Sequence, residues 1–168
     1  MAANMPDSIA NVEIRLLNGD AEADAAAHLM ADTEPWVTLG RTFEHTRKTV
    51  GHKEFEIYVA ILDRRVVGVI LLAIPIPLIK GYIAALAVHA DCRNRGIGAQ
   101  LLRFAEQRIS RVSPNVFLTV SSFNTHARRF YERNGYSQVG ELKDYIIFGE
   151  SEILMRKTTG PWSTFTPM

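Results

Sequence analysis

The sequence predicts an α+β, or mixed α/β, fold: a sheet with antiparallel flanks, helices on both faces and a strand-turn-helix unit at its centre. Three observations predict it. Apolar residues alternate over residues 56–61, a turn follows at Asp63 and Arg64, and residues 66–73 are apolar, which together indicate a β-hairpin. From Leu101 to Val112 apolar residues recur at helical spacing. A second hairpin is predicted near the C-terminus.

The composition is typical of one globular domain. The chain has 168 residues, 47% of them hydrophobic, so we expect a single domain over residues 1–168, with a loose N-terminus at 1–11 and a tail at 158–168. A formal net charge of +1 argues against a general nucleic-acid binder. The single cysteine, Cys92, excludes an internal disulfide framework, and no basic region precedes an apolar one at the N-terminus, so we expect a cytoplasmic protein.

The N-terminal part is predicted to form one strand and two helices. Residues 14–17 alternate weakly as a first strand, and Asp20 is positioned to cap a helix that runs to about residue 30. Thr38 is predicted to cap a second helix that ends at Gly51.

The apolar segment over residues 66–88 is long enough to raise the question of a membrane helix. Pro75 and Pro77 would break a continuous helix near its middle, and Lys80 and Gly81 follow at once. Two strands that flank a connection fit better, and their apolar character predicts burial on both faces of a sheet. We therefore expect no association with a membrane.

The second half of the chain is predicted to continue the alternation of strands and helices. Strands are expected at residues 82–88 and 116–120, helices at about 101–112 and 124–134, and the final hairpin at 139–148 and 153–156.

A turn with two glycines, Gly96 and Gly98, links the strand at 82–88 to the following helix. Glycines at a helix start let an anion approach several free backbone N–H groups, and Arg93 and Arg95 add positive charge. The same glycines also fit a tight turn without a ligand, and the pattern alone does not decide between the two. A P-loop is excluded because Ala99 and Gln100 follow Gly98, and a dinucleotide fingerprint lacks its third glycine.

Two separate motifs resemble those of the GNAT acyltransferase superfamily. Residues 86–88 read Leu-Ala-Val, and Arg93, Gly96 and Gly98 follow at the spacing of the turn that binds the pyrophosphate of acetyl-coenzyme A in that superfamily. Further on, residues 124–136 resemble its later motif, which contains an asparagine, an alanine, a tyrosine and a glycine at fixed spacing. The resemblance implies a mostly antiparallel twisted sheet of about seven strands, whose central pair splays apart at a bulge.

The resemblance also implies a cofactor site. The acyl-pantetheine arm would pair with strand backbone in the splayed opening, and the pyrophosphate would bind the glycine turn. The implied cofactor-binding residues are Leu86, Ala87, Val88, Arg93, Asn94, Arg95, Gly96, Ile97, Gly98, Ala99, Asn124 and Tyr131. Tyr131 corresponds to the tyrosine that protonates the leaving thiolate, although a buried core tyrosine is the alternative. Asn124 would cap its helix and also bond the arm, and a plain cap is sufficient by itself.

The general base is where the sequence departs from many relatives. The places that can carry an acidic residue on the central strands hold Ala84, Ala85 and Thr119. Without a carboxylate there, a weakly basic acceptor such as an α-amine is favoured, because at pH 7 its deprotonation costs about 1.2 kcal/mol and that of a lysine about 4.6 kcal/mol. Other candidate bases are Glu44, His45, His89, Asp144 and Glu150, although an ordinary solvated side chain is the favoured interpretation of each.

The predicted activity is direct transfer of an acetyl group from acetyl-coenzyme A to a primary amine on a small molecule or peptide, with no metal. The alternative is a non-catalytic coenzyme A-binding sensor or interaction module. Cys92, next to the arginines, is a minor candidate for an acetyl-carrying nucleophile. Residues 34–36 and Tyr145 lie where the family usually builds its acceptor pocket. The acceptor and the acyl length stay open, as does the oligomeric state, for which a homodimer is one alternative.

Overall fold

The computed structural model describes residues 12–74 and 79–167, which form one seven-stranded sheet and four α-helices. The α+β prediction and the strand number are confirmed. The strands are β1 (Glu13–Leu16), β2 (Glu56–Leu62), β3 (Arg65–Ala73), β4 (Tyr82–Val88), β5 (Asn115–Ser121), β6 (Ser137–Lys143) and β7 (Ser151–Thr158). The helices are α1 (Gly19–Ala31), α2 (Phe43–Val50), α3 (Ile97–Ile109) and α4 (Thr125–Arg133).

The strands follow the order β1-β2-β3-β4-β5-β7-β6 across the sheet, and every neighbouring pair is antiparallel except β4 and β5. One buried cluster joins α1 and α2 to side chains such as Val69 and Leu71 of β3. A second cluster on the opposite face joins α3 and α4 to Ile70 and Leu72 of the same strand. β3 is therefore covered on both faces, as its apolar sequence predicts. In β4 only alternate residues are fully buried.

The β4–β5 pair opens soon after it begins. Its register includes only two pairs, Tyr82 with Phe117 and Ile83 with Leu118, and the N–H of Phe117 donates to the carbonyl of Gly81 at 2.8 Å. Directly beyond, the β3–β4 register shifts so that Ala84 is an extra residue in β4, which is a β-bulge. The bulge bends β4 away from β5, and the rest of the two strands separate. The splayed pair that the family resemblance implies is present.

The hairpin between β2 and β3 forms where the sequence predicts it. Asp63 and Arg64 both have positive φ, 48° and 62°, as the two central residues of a type I′ turn require. The final hairpin differs from the prediction, because β6 ends at Lys143 and residues 144–148 form an exposed loop instead of more strand.

The predicted caps of α1 and α2 are both wrong. Asp20 lies inside the first turn of α1, and the Glu22 carboxylate instead accepts from the N–H of Asn18 at 2.7 Å. The helix α2 is capped by Thr42, whose hydroxyl accepts from the N–H of His45, and it begins four residues later than Thr38 would place it. Thr38 instead bonds Glu34 in the connecting turn.

Residues 1–11 and 75–78, including Pro75 and Pro77, lie outside the described residues. Within the described part of the chain, no helix is long and apolar enough to cross a membrane. The C-terminal tail contacts the body of the protein: the Lys80 ammonium lies 5.4 Å from the centre of the Trp162 ring, and the N–H of Thr159 donates to the carbonyl of Pro114.

The residue that starts the β4–β5 pairing gives a stability prediction. Gly81 has φ +83°, and a Cβ there would lie 2.4 Å from Ile109 Cγ2 and 2.7 Å from the carbonyl oxygen of Asn115. Gly19 is a matched control with φ +77° and no atom within 4 Å of the added Cβ. We expect Gly19→Ala to cost about 1–2 kcal/mol of unfolding free energy from backbone strain, and Gly81→Ala about 1–3 kcal/mol more from overpacking.

In thermal unfolding monitored by circular dichroism, Gly81→Ala should therefore melt roughly 2–12 °C below Gly19→Ala. Equal melting temperatures for the two variants would contradict the close packing described around Gly81 at the start of β4.

Candidate active site

The opening between β4 and β5 exposes backbone groups of β4. The N–H of His89 donates to the carbonyl of Val67 at 2.9 Å, and this register makes Ala87 and Val69 a hydrogen-bonded pair. Because successive residues of a strand direct their backbone groups to opposite sides, those of Leu86 and Val88 point toward β5, which no longer pairs with them. Of the three residues implied by the resemblance, Leu86 and Val88 thus offer backbone atoms to the opening, whereas Ala87 uses its own on β3.

The glycine turn presents backbone N–H groups at the start of α3. Gly96 has φ +82° and is the N-cap residue of the helix. The N–H of Gln100 donates to the carbonyl of Gly96 at 3.0 Å, which is the first bond of the helix. The N–H groups of Ile97, Gly98 and Ala99 precede that bond and have no intrahelical acceptor. The buried side chain of Ile97 anchors the turn, so these N–H groups form a fixed donor set suited to an anion.

The two arginines of the turn have different surroundings. The Arg93 guanidinium donates to the carbonyl of Val88 at 3.1 Å and to the Thr33 hydroxyl at 3.2 Å, which ties the turn to β4 and to the end of α1. Arg95, like Asn94, is exposed. Arg93 is thus engaged in holding the turn, and Arg95 is the arginine better placed to supply charge to a bound anion.

Asn124 caps α4, with its side-chain oxygen accepting from the N–H of Ala127 at 3.2 Å. The plain capping role is therefore present. Among the described residues, the side-chain nitrogen of Asn124 donates to no acceptor, so both of its hydrogens are available to a ligand.

Tyr131 is buried, with 8% of its surface exposed, and its ring packs edge-on against Tyr136 at 5.7 Å between ring centres. Burial raises the pKa of its phenol far above the usual range, and the nearby Tyr82 raises that pKa further. Its hydroxyl makes no hydrogen bond to any residue of the described ranges 12–74 and 79–167. Since Tyr82 is one of only two paired positions of β4 and β5 and directly precedes the last of them, the Tyr131 phenol lies near the point where the strands separate.

A polar cluster lies beside this point on the sheet. The hydroxyls of Tyr82 and Thr119 share a hydrogen bond of 2.8 Å, and the Ser121 hydroxyl donates to the Glu152 carboxylate at 2.5 Å. Glu152 is on β7, directly opposite Ser121 of β5, and is 6% exposed. Burial raises the pKa of its carboxyl, and hydrogen bonding by Ser121 and then Thr119 lowers it in part.

Glu152 is not among the residues predicted from the sequence, where the last strand is expected to begin at Ile153. Only the pairing of β7 with β5 brings this carboxylate to the opening. The register that does so joins residues 31 positions apart, so no local signal in the sequence could have found it.

The carboxylates and histidines predicted as bases are placed less favourably. Glu44 and His45 are exposed on α2, and His89 accepts from the N–H of Asp91. Asp144 accepts from the N–H of Gly149 in the β6–β7 loop, and Glu150 from the Ser122 hydroxyl.

Cys92 lies in the core, 7% exposed, and is packed with the buried side chains of α3. Within residues 12–74 and 79–167, no three histidine, cysteine or acidic side chains lie close enough together to hold a metal ion. In the region predicted for the acceptor pocket, Tyr145 is 67% exposed and Trp36 packs partly against the α1–α2 cluster.

Comparison with known proteins identifies the family to which the chain belongs. Residues 23–136 match the acetyltransferase (GNAT) family. An uncharacterised N-acetyltransferase of Methanocaldococcus jannaschii is 41% identical over 102 residues, and the match spans 60% of this chain and 64% of that protein. An N-alpha-acetyltransferase of Sulfurisphaera tokodaii is 32% identical over 117 residues, which are 61% of this chain and 70% of that protein. The chain thus spans less than two thirds of the length of the first of these relatives.

The fold is shared with a solved structure. The crystal structure of an aminoglycoside 6′-N-acetyltransferase complexed with coenzyme A matches with a TM-score of 0.72 and 20% identity, covering 89% of this chain and 98% of that one. At this identity the likeness shows the common architecture, including the mixed seven-stranded sheet.

The glycine at the α3 N-cap gives a binding prediction. Alanine at position 96 is disfavoured at φ +82°, so in Gly96→Ala the turn relaxes and binding must restore it at a cost of about 1–2 kcal/mol. We expect coenzyme A to bind roughly 5–30-fold more weakly in calorimetry. Gly19→Ala, with a similar φ and equally open surroundings, should match the wild-type affinity. Wild-type affinity in Gly96→Ala would show that the turn does not hold the cofactor.

Proposed function

The chain belongs to the GNAT family of acetyltransferases, and on that premise we propose that it transfers the acetyl group of acetyl-coenzyme A to the α-amine of a peptide or similar small acceptor. That it is a GNAT-type N-acetyltransferase follows from the family match over residues 23–136 and from its relatives. The substrate and the roles of individual residues are the proposal. Its central support is one observation: the hydroxyl of the buried Tyr131, beside the opening of the sheet, has no hydrogen-bond partner among the residues that the structure describes.

The residues around the opening suit coenzyme A. The free N–H groups of Ile97, Gly98 and Ala99 fit a pyrophosphate. The backbone of Leu86, the N–H of Val88 and the side-chain nitrogen of Asn124 fit the amide groups of a pantetheine arm. All of these are polar groups without partners elsewhere in the described protein, so a ligand of this shape satisfies them together. Acetyl-coenzyme A is the co-substrate that brings the thioester carbonyl to be attacked.

Tyr131 is proposed as the general acid. Because burial keeps its phenol protonated throughout the neutral range, the proton is available when the thiolate leaves. Within the described part of the chain its hydroxyl makes no hydrogen bond, so no such bond has to break before it can donate. This role is not needed in a coenzyme A sensor, which only has to bind.

Two considerations support an α-amine as the acceptor. The Sulfurisphaera tokodaii relative is named an N-alpha-acetyltransferase and is 32% identical. At pH 7 deprotonation of an α-amine costs about 1.2 kcal/mol and that of a lysine about 4.6 kcal/mol, a difference of roughly 300-fold in the neutral fraction. The sequence argument for an α-amine depends on the absence of a carboxylate from β4 and β5. That argument carries less weight because Glu152 of β7 lies beside these strands.

The general acid is tested by Tyr131→Phe. We expect kcat for thiol release from acetyl-coenzyme A to fall by about 10²–10⁴-fold, because only the proton donor is lost, while coenzyme A affinity measured by calorimetry is retained. Tyr136→Phe is the matched control: it removes the hydroxyl of another buried tyrosine, one that the mechanism does not use, so kcat should stay near wild type. Turnover within threefold of wild type in Tyr131→Phe would rule out this role.

The acceptor class is tested with paired peptides at pH 7, one with a free N-terminus and no lysine, the other with a blocked N-terminus and one lysine. We expect kcat/KM to favour the free N-terminus by about 100-fold or more, with the product located by mass spectrometry. Faster acetylation of the lysine peptide would overturn the α-amine assignment. Tight coenzyme A binding without turnover on any amine would favour the sensor.

A further inference from the structure

We infer that Glu152 is the general base of this enzyme and that it takes the proton from the acceptor's ammonium group at the opening between β4 and β5. The inference rests on the proposed acetyl transfer and adds to it a catalytic residue from β7. The carboxylate that is missing from the two central strands is thereby supplied by the next strand of the sheet.

The surroundings of Glu152 are unusual for a buried carboxylate. Three other partly buried glutamates each pair with a cation: Glu22 with Arg15 at 2.6 Å, Glu56 with Arg108 at 2.5 Å and Glu106 with Lys157 at 2.8 Å. Glu152 is more deeply buried, yet within the described ranges no lysine, arginine or histidine nitrogen lies within 4.0 Å of its carboxylate. The Ser121 hydroxyl donates to it at 2.5 Å, and the Thr119 hydroxyl also lowers the pKa of its carboxyl by hydrogen bonding.

A buried carboxylate without a cation destabilises the folded protein, because burial removes water that neighbouring hydroxyl groups replace only in part. A glutamine, or an apolar residue, would fit β7 at lower cost. The structure gives Glu152 no structural partner that requires a negative charge, so a chemical role accounts for it better.

Glu152 is also on the correct face of the sheet. It is directly opposite Ser121, and Thr119 lies two residues earlier on the same face of β5. The Thr119 hydroxyl bonds the hydroxyl of Tyr82, which is in the short paired segment of β4 and β5. The four side chains therefore form a polar row from β7 to the splay point, near which the buried Tyr131 phenol also lies. An amine bound at this end of the opening has the base on one side and the acid on the other.

The surroundings of Glu152 change the pKa of its carboxyl in two opposite directions. Burial raises its pKa, and the hydroxyls of Ser121 and Thr119 lower it in part. Tyr82 on β4 lies close enough for the Glu152 carboxylate to raise the pKa of its phenol, and Tyr145 of the β6–β7 loop raises that pKa of Tyr82 as well. On β6, Leu142 is its direct neighbour, so Glu141 and Lys143 point to the opposite face. A carboxylate with a raised pKa is a stronger base than a solvated one and suits a proton transfer near neutral pH.

The proton balance closes with two groups. Glu152 removes one proton from the R–NH₃⁺ acceptor and later releases it to water, which leaves the nitrogen lone pair free to form the C–N bond. When the C–S bond breaks, its electron pair stays on sulfur, and Tyr131 gives the thiolate a proton. The nitrogen loses its second proton on forming the amide, and this proton replaces the one that Tyr131 donated. The products are the acetylated amine, coenzyme A and one proton in water.

Glu152→Gln tests the base, with Glu141→Gln on the exposed side of the same hairpin as control. At pH 6–7 we expect kcat/KM for an α-amine peptide to fall by about 10²-fold or more in Glu152→Gln and to stay near wild type in Glu141→Gln. In Glu152→Gln the rate should rise tenfold per pH unit up to the pKa of the acceptor, about 7.7–8.0, because only free amine then reacts. Coenzyme A affinity should be unchanged.

A second readout needs neither cofactor nor turnover. Because the carboxyl of Glu152 has a raised pKa in the folded state, its stabilising contribution is present below the ordinary glutamate pKa and is lost as pH rises through the raised value. The melting temperature of the wild type should therefore fall relative to Glu152→Gln as pH is raised from about 4 to 7.

Glu152→Asp, which keeps the charge, should retain the wild-type form of the pH–rate profile at reduced kcat.

Turnover within threefold of wild type and an unchanged pH profile in Glu152→Gln would overturn the inference. So would the same profile change in Glu141→Gln. If Glu152→Gln does not fold, a Glu152→Asp profile that has lost its acidic limb overturns the inference equally. Failure of the proposed function is distinguishable, because the wild type itself would then release no thiol from acetyl-coenzyme A with any amine.

Discussion

The short pairing of β4 with β5 is the constraint on which the rest of the site depends. Two paired positions hold the strands together at Tyr82 and Ile83, and the bulge at Ala84 then bends β4 away. A bulge leaves one residue out of the ladder and sharpens the local twist. Without it the opening would close into an ordinary parallel pair, and the backbone of Leu86 and Val88 would bond β5. The roles proposed for the glycine turn, Asn124 and Tyr131 in cofactor binding and catalysis all depend on this gap.

The sheet remains stable despite the gap because the strands on both sides of it are well packed and well paired. On one side β3 is covered by helices on both faces, and on the other β5 pairs with β7 along seven residues. Ion pairs join α3 to both flanks, to β2 through Arg108 and Glu56 and to β7 through Glu106 and Lys157. Polar groups that lack partners at the opening are costly. The well-packed flanks offset that cost, which is the usual relation between a strained site and its scaffold.

Much of the fold could be predicted from the sequence, because its signals are local. The alternation before Asp63 and Arg64 and the helical stripe of α3 each depend on periodicity within a short window. The glycine turn and the asparagine-tyrosine motif were readable for the same reason. The caps were predicted less well. Threonines at 38 and 42 are equally good caps by residue type, and the packing of α2 on α1 selects the second.

The separation of β4 from β5 and the position of Glu152 could not be predicted from local signals of this kind. Ala84 has no property that marks a bulge, and Glu152 becomes relevant only when β7 is inserted between β5 and β6. That strand order brings together residues that are about thirty positions apart in the chain, and neither composition nor spacing encodes it. Sequence motifs thus identified the residues predicted to bind the cofactor, whereas the carboxylate that we assign as the base was found only through tertiary pairing.

The open side of β4 also affects how the protein exchanges hydrogen with water. Most N–H groups in the interior of a sheet are protected by their ladder bonds, and exchange only when the structure opens. Those of Leu86 and Val88 lie in a central strand but have no partner across the gap. They behave as edge positions within the middle of the sheet, so in the free protein protected and labile amides should alternate along residues 85–88, beyond the bulge.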